Sequence, residues 1–357
     1  MSRATALEPR KILIVLHGAI GDVTRALPLA GLLRRRFPAA TLAWCVEPPS
    51  LPLLELCPFI DEIIVFDRPR GMRAFARFLK AIRERRFDLV LDLQRHFKSG
   101  LISRWSGAPY RLGFHRSDAK ELNWIFNNYY IAATGDATPK ILHYLKFVEF
   151  LGAASKPIEW HLQLTAEDQA RAEKLLGGSA HDSAVLFVGS RWESKQWFAA
   201  QIAATACEIR LRYGLEVIFL GTAADQALAK DAEKLATQRV INLTGLTSLR
   251  DAIAIIAQTR FCVGPDTGLM HIAAALGTPV VSLWGATEPI RTGPYGFADL
   301  AIRGRADCSP CHRRRCAIGR VCMQSIGIEA IVAMMDRALA RGATARRFGG
   351  EASVSIH

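Results

Sequence analysis

Two α/β domains, each a parallel sheet covered by helices, are what this sequence predicts. Three observations carry the prediction. Short, unbroken apolar runs have the length of strands buried on both faces. Amphipathic segments at helical spacing separate them. The whole alternation restarts about halfway along the 357-residue chain, a length that suits roughly two domains.

The first half opens with Ile12–Leu16 (ILIVL) as a strand. Leu29, Leu32 and Leu33 then fall on one helix face, and Arg34, Arg35 and Arg36 sit at the negative end of that helix. Leu42–Val46, Ile63–Phe66 and Leu89–Leu93 are further strands. Between the last two, Phe75, Phe78, Leu79 and Ile82 recur at helical spacing, and Ile141–Leu151 forms another helix. This βαβα order implies a parallel sheet. Lys156-Pro157 starts a crossover, and Thr165 with Asp168 three residues on marks a helix start.

The second half has strands at Ala184–Val188, Glu216–Leu220, Phe261–Val263 and Val280–Leu283. Helices are expected near 196–212, 225–236, 248–258, 268–276 and 329–341. The expected division is residues 1–160, residues 161–341 and a disordered tail at 342–357. Two such halves facing each other would form a cleft, the usual place for a ligand.

Composition narrows the function. The net charge of +13 favours an anionic partner or simple solubility. Eight basic residues crowd one segment: Arg68, Arg70, Arg73, Arg77, Lys80, Arg83, Arg85 and Arg86. No run approaches the roughly 20 apolar residues of a membrane span, and the polar start lacks a signal-peptide apolar region. A cytoplasmic protein is expected. Cys45, Cys57, Cys207 and Cys262 lie among apolar neighbours and read as reduced core residues.

Three segments carry chemistry. Gly18-Ala19-Ile20-Gly21-Asp22 follows the first strand, where glycines allow a tight turn. Its spacing is not the dinucleotide fingerprint. Asp22 either caps the next helix or accepts a proton from an attacking hydroxyl. Ser190 to Trp197 follows the first strand of the second half. There Lys195, and less so Arg191, can offset charge on a phosphate leaving group. Gly264-Pro265-Asp266-Thr267-Gly268-Leu269-Met270-His271 reads as strand, tight turn and helix start, with free amides for an anion. Asp266 either caps that helix or positions Lys195. His271 is one turn in, either structural or part of the pocket.

Together these segments resemble glycosyltransferase family 9, the ADP-heptose:lipopolysaccharide heptosyltransferases, from about Lys11 to Arg337. The most specific pieces are Lys11–Pro28, Phe87–Ser99, Arg111–Phe114, Ser190–Trp197, Gly264–Trp284 and Cys308–Met323. The resemblance implies a GT-B fold, two Rossmann-like domains with the active site between them. It implies inverting transfer of heptose from ADP-heptose to the lipopolysaccharide inner core, with no tightly bound cofactor or metal. It makes Asp22 the base and Lys195 the contact to the donor phosphates. Asp266, Thr267, Gly268 and His271 line the donor pocket, Ser190 supplies a hydroxyl, and Asp225 faces the adenosine ribose. The chain departs from the family at Leu16 and His17, where an arginine is usual.

The basic segment then has a use. Arg73, Arg77 and Lys80 at helical spacing, with Lys98, suit an anionic lipopolysaccharide-precursor acceptor and peripheral contact with the cytoplasmic face of the inner membrane. Cys308, Cys311, Cys316 and Cys322 form a cluster with His312 beside it. Zinc is one reading, but three consecutive arginines, Arg313–Arg315, oppose a cation, and a reduced structural loop is the expected one. Alternatives are a sugar-nucleotide epimerase or hydrolase of the same fold, and a basic nucleic-acid-binding protein. No nucleic-acid motif supports the last.

Overall fold

The computed structural model describes residues 7–67, 71–135, 138–178 and 182–348, the final six by backbone alone. The chain divides into two compact units, Met1–Leu162 and Gln163–His357.

The first unit carries β1 (Lys11–Val15), α1 (Ile20–Ala26), α2 (Pro28–Arg36), β2 (Thr41–Val46), α3 (Leu51–Glu55), β3 (Glu62–Val65), α4 (Met72–Glu84), β4 (Leu89–Asp92), α5 (Phe97–Trp105), β5 (Tyr110–Gly113), β6 (Tyr129–Tyr130) and α6 (Lys140–Phe150). Its six strands lie in the order β3-β2-β1-β4-β5-β6, all parallel. The central strands are buried on both faces, which is why they read as continuous apolar runs rather than alternating ones. Leu13, Val15, Ala43, Val90, Ile82 of α4 and Ile102 of α5 share one core.

The second unit repeats the plan. It contains α7 (Ala166–Leu175), β7 (Ser183–Phe187), α8 (Ala199–Tyr213), β8 (Glu216–Leu220), α9 (Gln226–Leu235), β9 (Ile241–Asn242), α10 (Leu249–Gln258), β10 (Cys262–Pro265), α11 (Gly268–Ala275), β11 (Val280–Trp284), α12 (Pro289–Thr292), β12 (Ala301–Arg303), α13 (Val321–Gln324) and α14 (Ile328–Phe348). The strand order, β12-β11-β10-β7-β8-β9, is the first unit's order traced from its other edge. In each unit the order reverses beside the first strand, between β1 and β4 and between β7 and β10. Ligands of such sheets bind at that reversal, outside the carboxyl ends of the strands.

Local physics fixes several boundaries. Thr165 and Asp168 form the expected capping box at the start of α7, and Ser248 with Asp251 does the same for α10. Gly214, at φ 66°, ends α8 in the left-handed region. The sequence passes over four short strands, β5 and the edge strands β6, β9 and β12, which are two to four residues long. The last helix overturns part of the expected tail: it continues through 342–348, and the remainder, 349–357, lies outside the described residues. Of the four scattered cysteines, Cys45, Cys57 and Cys262 are buried. Cys207 departs from expectation, being half-exposed with Sγ 3.2 Å from Thr237 Oγ1.

Candidate active site

In the first unit the site grows from the loop after β1. The amides of His17 and Gly18 both donate to Gln94 Oε1, at 2.9 and 3.5 Å, which fastens this loop to the end of β4. The His17 ring stacks on Phe66. Ala19 is the N-cap of α1, so Asp22 stands within the first turn, and its side chain makes no cap. The capping alternative is therefore excluded.

The Asp22 carboxylate instead gathers donors. Oδ1 accepts from Arg25 Nη2 at 2.7 Å, from Tyr144 OH at 3.2 Å and from Lys140 Nζ. Oδ2 accepts none of the hydrogen bonds seen among the described residues. With 22% of its side chain exposed, the carboxylate still reaches solvent. Burial works to raise its pKa, but the Lys140 and Arg25 charges outweigh burial and hold it well below the usual carboxylate range. Burial pulls Lys140 down to about 8 against the pull of Asp22. Burial and the neighbouring Asp22 charge push Tyr144 well above its ordinary value, so it remains a donor.

Arg25, Lys140 and Tyr144 were not among the residues expected from sequence. Arg25 was within reach of the i, i+3 rule on α1. Lys140 and Tyr144 share a face of α6 at i, i+4, but nothing local says that α6 packs on α1.

In the second unit the Ser190–Trp197 loop leaves β7 and meets the turn after β10. Lys195 Nζ lies 2.6 Å from Asp266 Oδ2 and 4.2 Å from the Trp192 ring centroid, so one cation is held by a carboxylate and an aromatic face. Thr287 Oγ1 donates to the same Oδ2 at 2.8 Å. Ser190 Oγ donates to the Asp266 carbonyl at 2.8 Å. The two tryptophans do different work: Trp192 faces Lys195, whereas Trp197 is fully buried and donates to Val188 O at 2.9 Å. Arg191 is exposed.

Two strand-end contacts make this closeness possible. A Cβ on Gly264 would lie 2.6 Å from Phe187 Cβ and 2.9 Å from its carbonyl oxygen. A Cβ on Gly189 would lie 1.8 Å from Asp225 Oδ1. Asp225 accepts from Thr222 N and Oγ1 through Oδ2, at 2.8 and 2.7 Å, and so caps its own turn while standing over the end of β7. Thr267 is the N-cap of α11 and offers no side-chain cap, while Asp266 is turned to Lys195 rather than to the helix. The amides that open α11 at Gly268 are thus left for another acceptor. His271 is buried one turn into α11.

The cysteine segment braces this loop. Cys316 N donates to Glu193 Oε2 at 2.8 Å, Arg320 pairs with Glu193 at 3.1 Å, and Arg320 Nη1 donates to Gln196 O at 3.1 Å. Ser194 Oγ donates to Arg313 O. The described residues include no group of three or more His, Cys, Asp or Glu arranged to hold a metal ion. The eight cysteines are free thiols. On α4, Arg73, Arg77 and Lys80 are exposed, as is Lys98 on α5, whereas Arg85 is committed to Glu62 at 2.6 Å. Among the described residues no helix is long and apolar enough to cross a membrane.

The chain is 27% identical to the lipopolysaccharide core heptosyltransferase OpsX of Haemophilus influenzae over 297 residues, covering 82% of this chain and 84% of that protein. Its fold matches a glycosyl transferase family 9 structure from Veillonella parvula with TM-score 0.80 at 21% identity, over 94% of this chain and 99% of the other. It also matches the E. coli ADP-heptose lps heptosyltransferase II with TM-score 0.75 at 22% identity, over 93% and 99%. The family model for glycosyltransferase family 9 (heptosyltransferase) matches residues 75–322, which include the Lys195 loop and the Asp266 turn. With most of its length under that match, the chain belongs to glycosyltransferase family 9, the heptosyltransferases.

Proposed function

We propose that this enzyme transfers heptose from ADP-heptose to the inner core of a lipopolysaccharide precursor, inverting the anomeric centre. The observation that carries the donor half is Lys195, held between Asp266 and Trp192 beside the opening turn of α11. A cation on a fixed mount next to unpaired helix amides suits a diphosphate. Ser190, Thr267, Gly268 and His271 complete that pocket, and Asp225 takes the ribose. The names of the H. influenzae and E. coli relatives support the sugar and the acceptor.

In this reading Asp22 Oδ2 takes the proton of the acceptor hydroxyl as that oxygen bonds to C1. The bond from C1 to the phosphate oxygen breaks, and ADP leaves with the electron pair. Lys195 and the α11 amides meet the charge that builds on the leaving phosphate. No tightly bound cofactor takes part.

We place the enzyme at the cytoplasmic face of the inner membrane. The exposed Arg73, Arg77 and Lys80 on α4 support this, as do exposed Phe97, Leu122 and Ile125 beside Lys98 and Lys120. The deciding experiment measures calorimetric binding of ADP-heptose against other nucleotide sugars, together with product analysis on a deacylated inner-core acceptor. Preferred ADP-heptose binding and a heptosylated product are expected. Free heptose released without acceptor would identify a hydrolase, and a rearranged nucleotide sugar an epimerase.

A further inference from the structure

A carboxylate as secluded as that of Asp22 would ordinarily hold its proton, and a neutral acid cannot accept another. Its surroundings prevent this with three donors, and every one of them meets Oδ1. Arg25 belongs to the same helix at i+3 and is nearly buried. Lys140 arrives from a different element, at the first residue of α6, whose first turn holds no acid.

That position is electrostatically poor for a lysine. The start of a helix carries the positive end of its dipole, which disfavours a cation. The charged neighbours of Lys140 are Asp22, which attracts it, and Arg25 and Arg95, which repel it. Helix stability therefore does not account for a lysine here, and the ion pair with Asp22 does. Tyr144, one turn further along α6, brings its hydroxyl to the same oxygen.

We propose that Lys140 is a positioning residue for the base: it clamps Asp22 Oδ1, leaves Oδ2 to face the acceptor hydroxyl, and keeps the carboxylate ionised. The proposal rests on Asp22 as the base. A neighbouring cation also weakens a base, and the reaction tolerates this. The acceptor hydroxyl becomes acidic only as its oxygen bonds to C1, so the proton moves late, to a carboxylate that must be charged and aimed beforehand. Arg25 from α1, Lys140 and Tyr144 from α6, and Arg95 from the loop after β4 are the groups that set this balance.

The test is the pH dependence of kcat at saturating donor and acceptor for Lys140→Met, Lys140→Arg, Tyr144→Phe and Asp22→Asn. Removing the cation leaves burial less opposed, so the carboxyl pKa rises and the acidic limb moves to higher pH. For Lys140→Met we expect kcat to fall about tenfold at neutral pH, with the limb displaced upward by about one pH unit or more and the donor KM nearly unchanged. Lys140→Arg keeps a cation and returns the limb to its wild-type place. Tyr144→Phe, which deletes one hydroxyl, shifts the limb the same way by less, and it decides the matter should the methionine variant not fold. An unmoved limb in both Lys140→Met and Tyr144→Phe, with Asp22→Asn inactive, overturns the role of Lys140 and leaves the base in place. Wild-type turnover in Asp22→Asn overturns the base itself.

Discussion

Each unit holds a lysine–aspartate pair at its strand ends, and the two pairs are built differently. In the first, two cations and a phenol crowd Oδ1 of Asp22. In the second, a single lysine and a threonine hydroxyl share Oδ2 of Asp266, and the lysine also has an aromatic face. The first arrangement over-supplies positive charge to an acid. The second gives one cation a rigid mount. In our reading the same pairing serves opposite ends: Lys140 holds the working aspartate, whereas Asp266 holds the working lysine. What distinguishes holder from worker is the company each keeps, not the residue type.

Three substitutions test that contrast. Asp22→Asn keeps the shape of the carboxylate but cannot take a proton. We expect kcat to fall by about a thousandfold with ADP affinity unchanged in calorimetry. Lys195→Met should lower kcat by about a hundredfold and also weaken ADP binding, because the same cation would serve ground state and transition state. Equal losses of ADP affinity in the two variants would erase the distinction between the pairs. The smallest effect is expected at a third pair. Asp168 accepts from Arg250 Nε and Nη2 at 2.5 and 2.9 Å while capping α7, and this pairing, helped by Thr165, depresses the Asp168 carboxyl to about 2. Its stabilisation is complete above the ordinary carboxylate value of 3.8 and is lost as pH falls through about 2. Arg250→Met should cost about 1–2 kcal/mol in denaturant unfolding at pH 7, less near pH 2, and leave turnover intact. A loss of turnover in folded Arg250→Met protein would show that ion pairs here affect catalysis wherever they lie.

Much of this was legible in the sequence because burial on both faces leaves a strong signature. KILIV at β1 and EVIFL at β8 are strands that no helical spacing imitates. Edge strands such as Tyr129–Tyr130 and Ile241–Asn242 carry almost no pattern, since two residues cannot display a period. For Asp266 the sequence leaves a helix cap and a partner for Lys195 both open, and the structure shows the second, since both residues follow central strands whose neighbouring ends bring their loops together. Lys140 could not be found this way. Its partner is 118 residues distant, and the contact depends on how α6 packs on α1, a tertiary fact with no local trace. The cysteine segment was legible as a cluster but not as a brace, because its work is done by backbone groups and by Arg320 rather than by sulfur ligation.

The absence of a side chain at Gly264 reaches beyond its own strand. Any larger residue would wedge β10 away from Phe187 and separate the loops that follow, so the spacing between Ser190 and Asp266 is inherited from the sheet interior. Thr287, which donates to Asp266 Oδ2, and Gln196, which donates to Ser190 O, depend on that spacing as well. The glycine beneath them is the hinge pin of the design and has to stay.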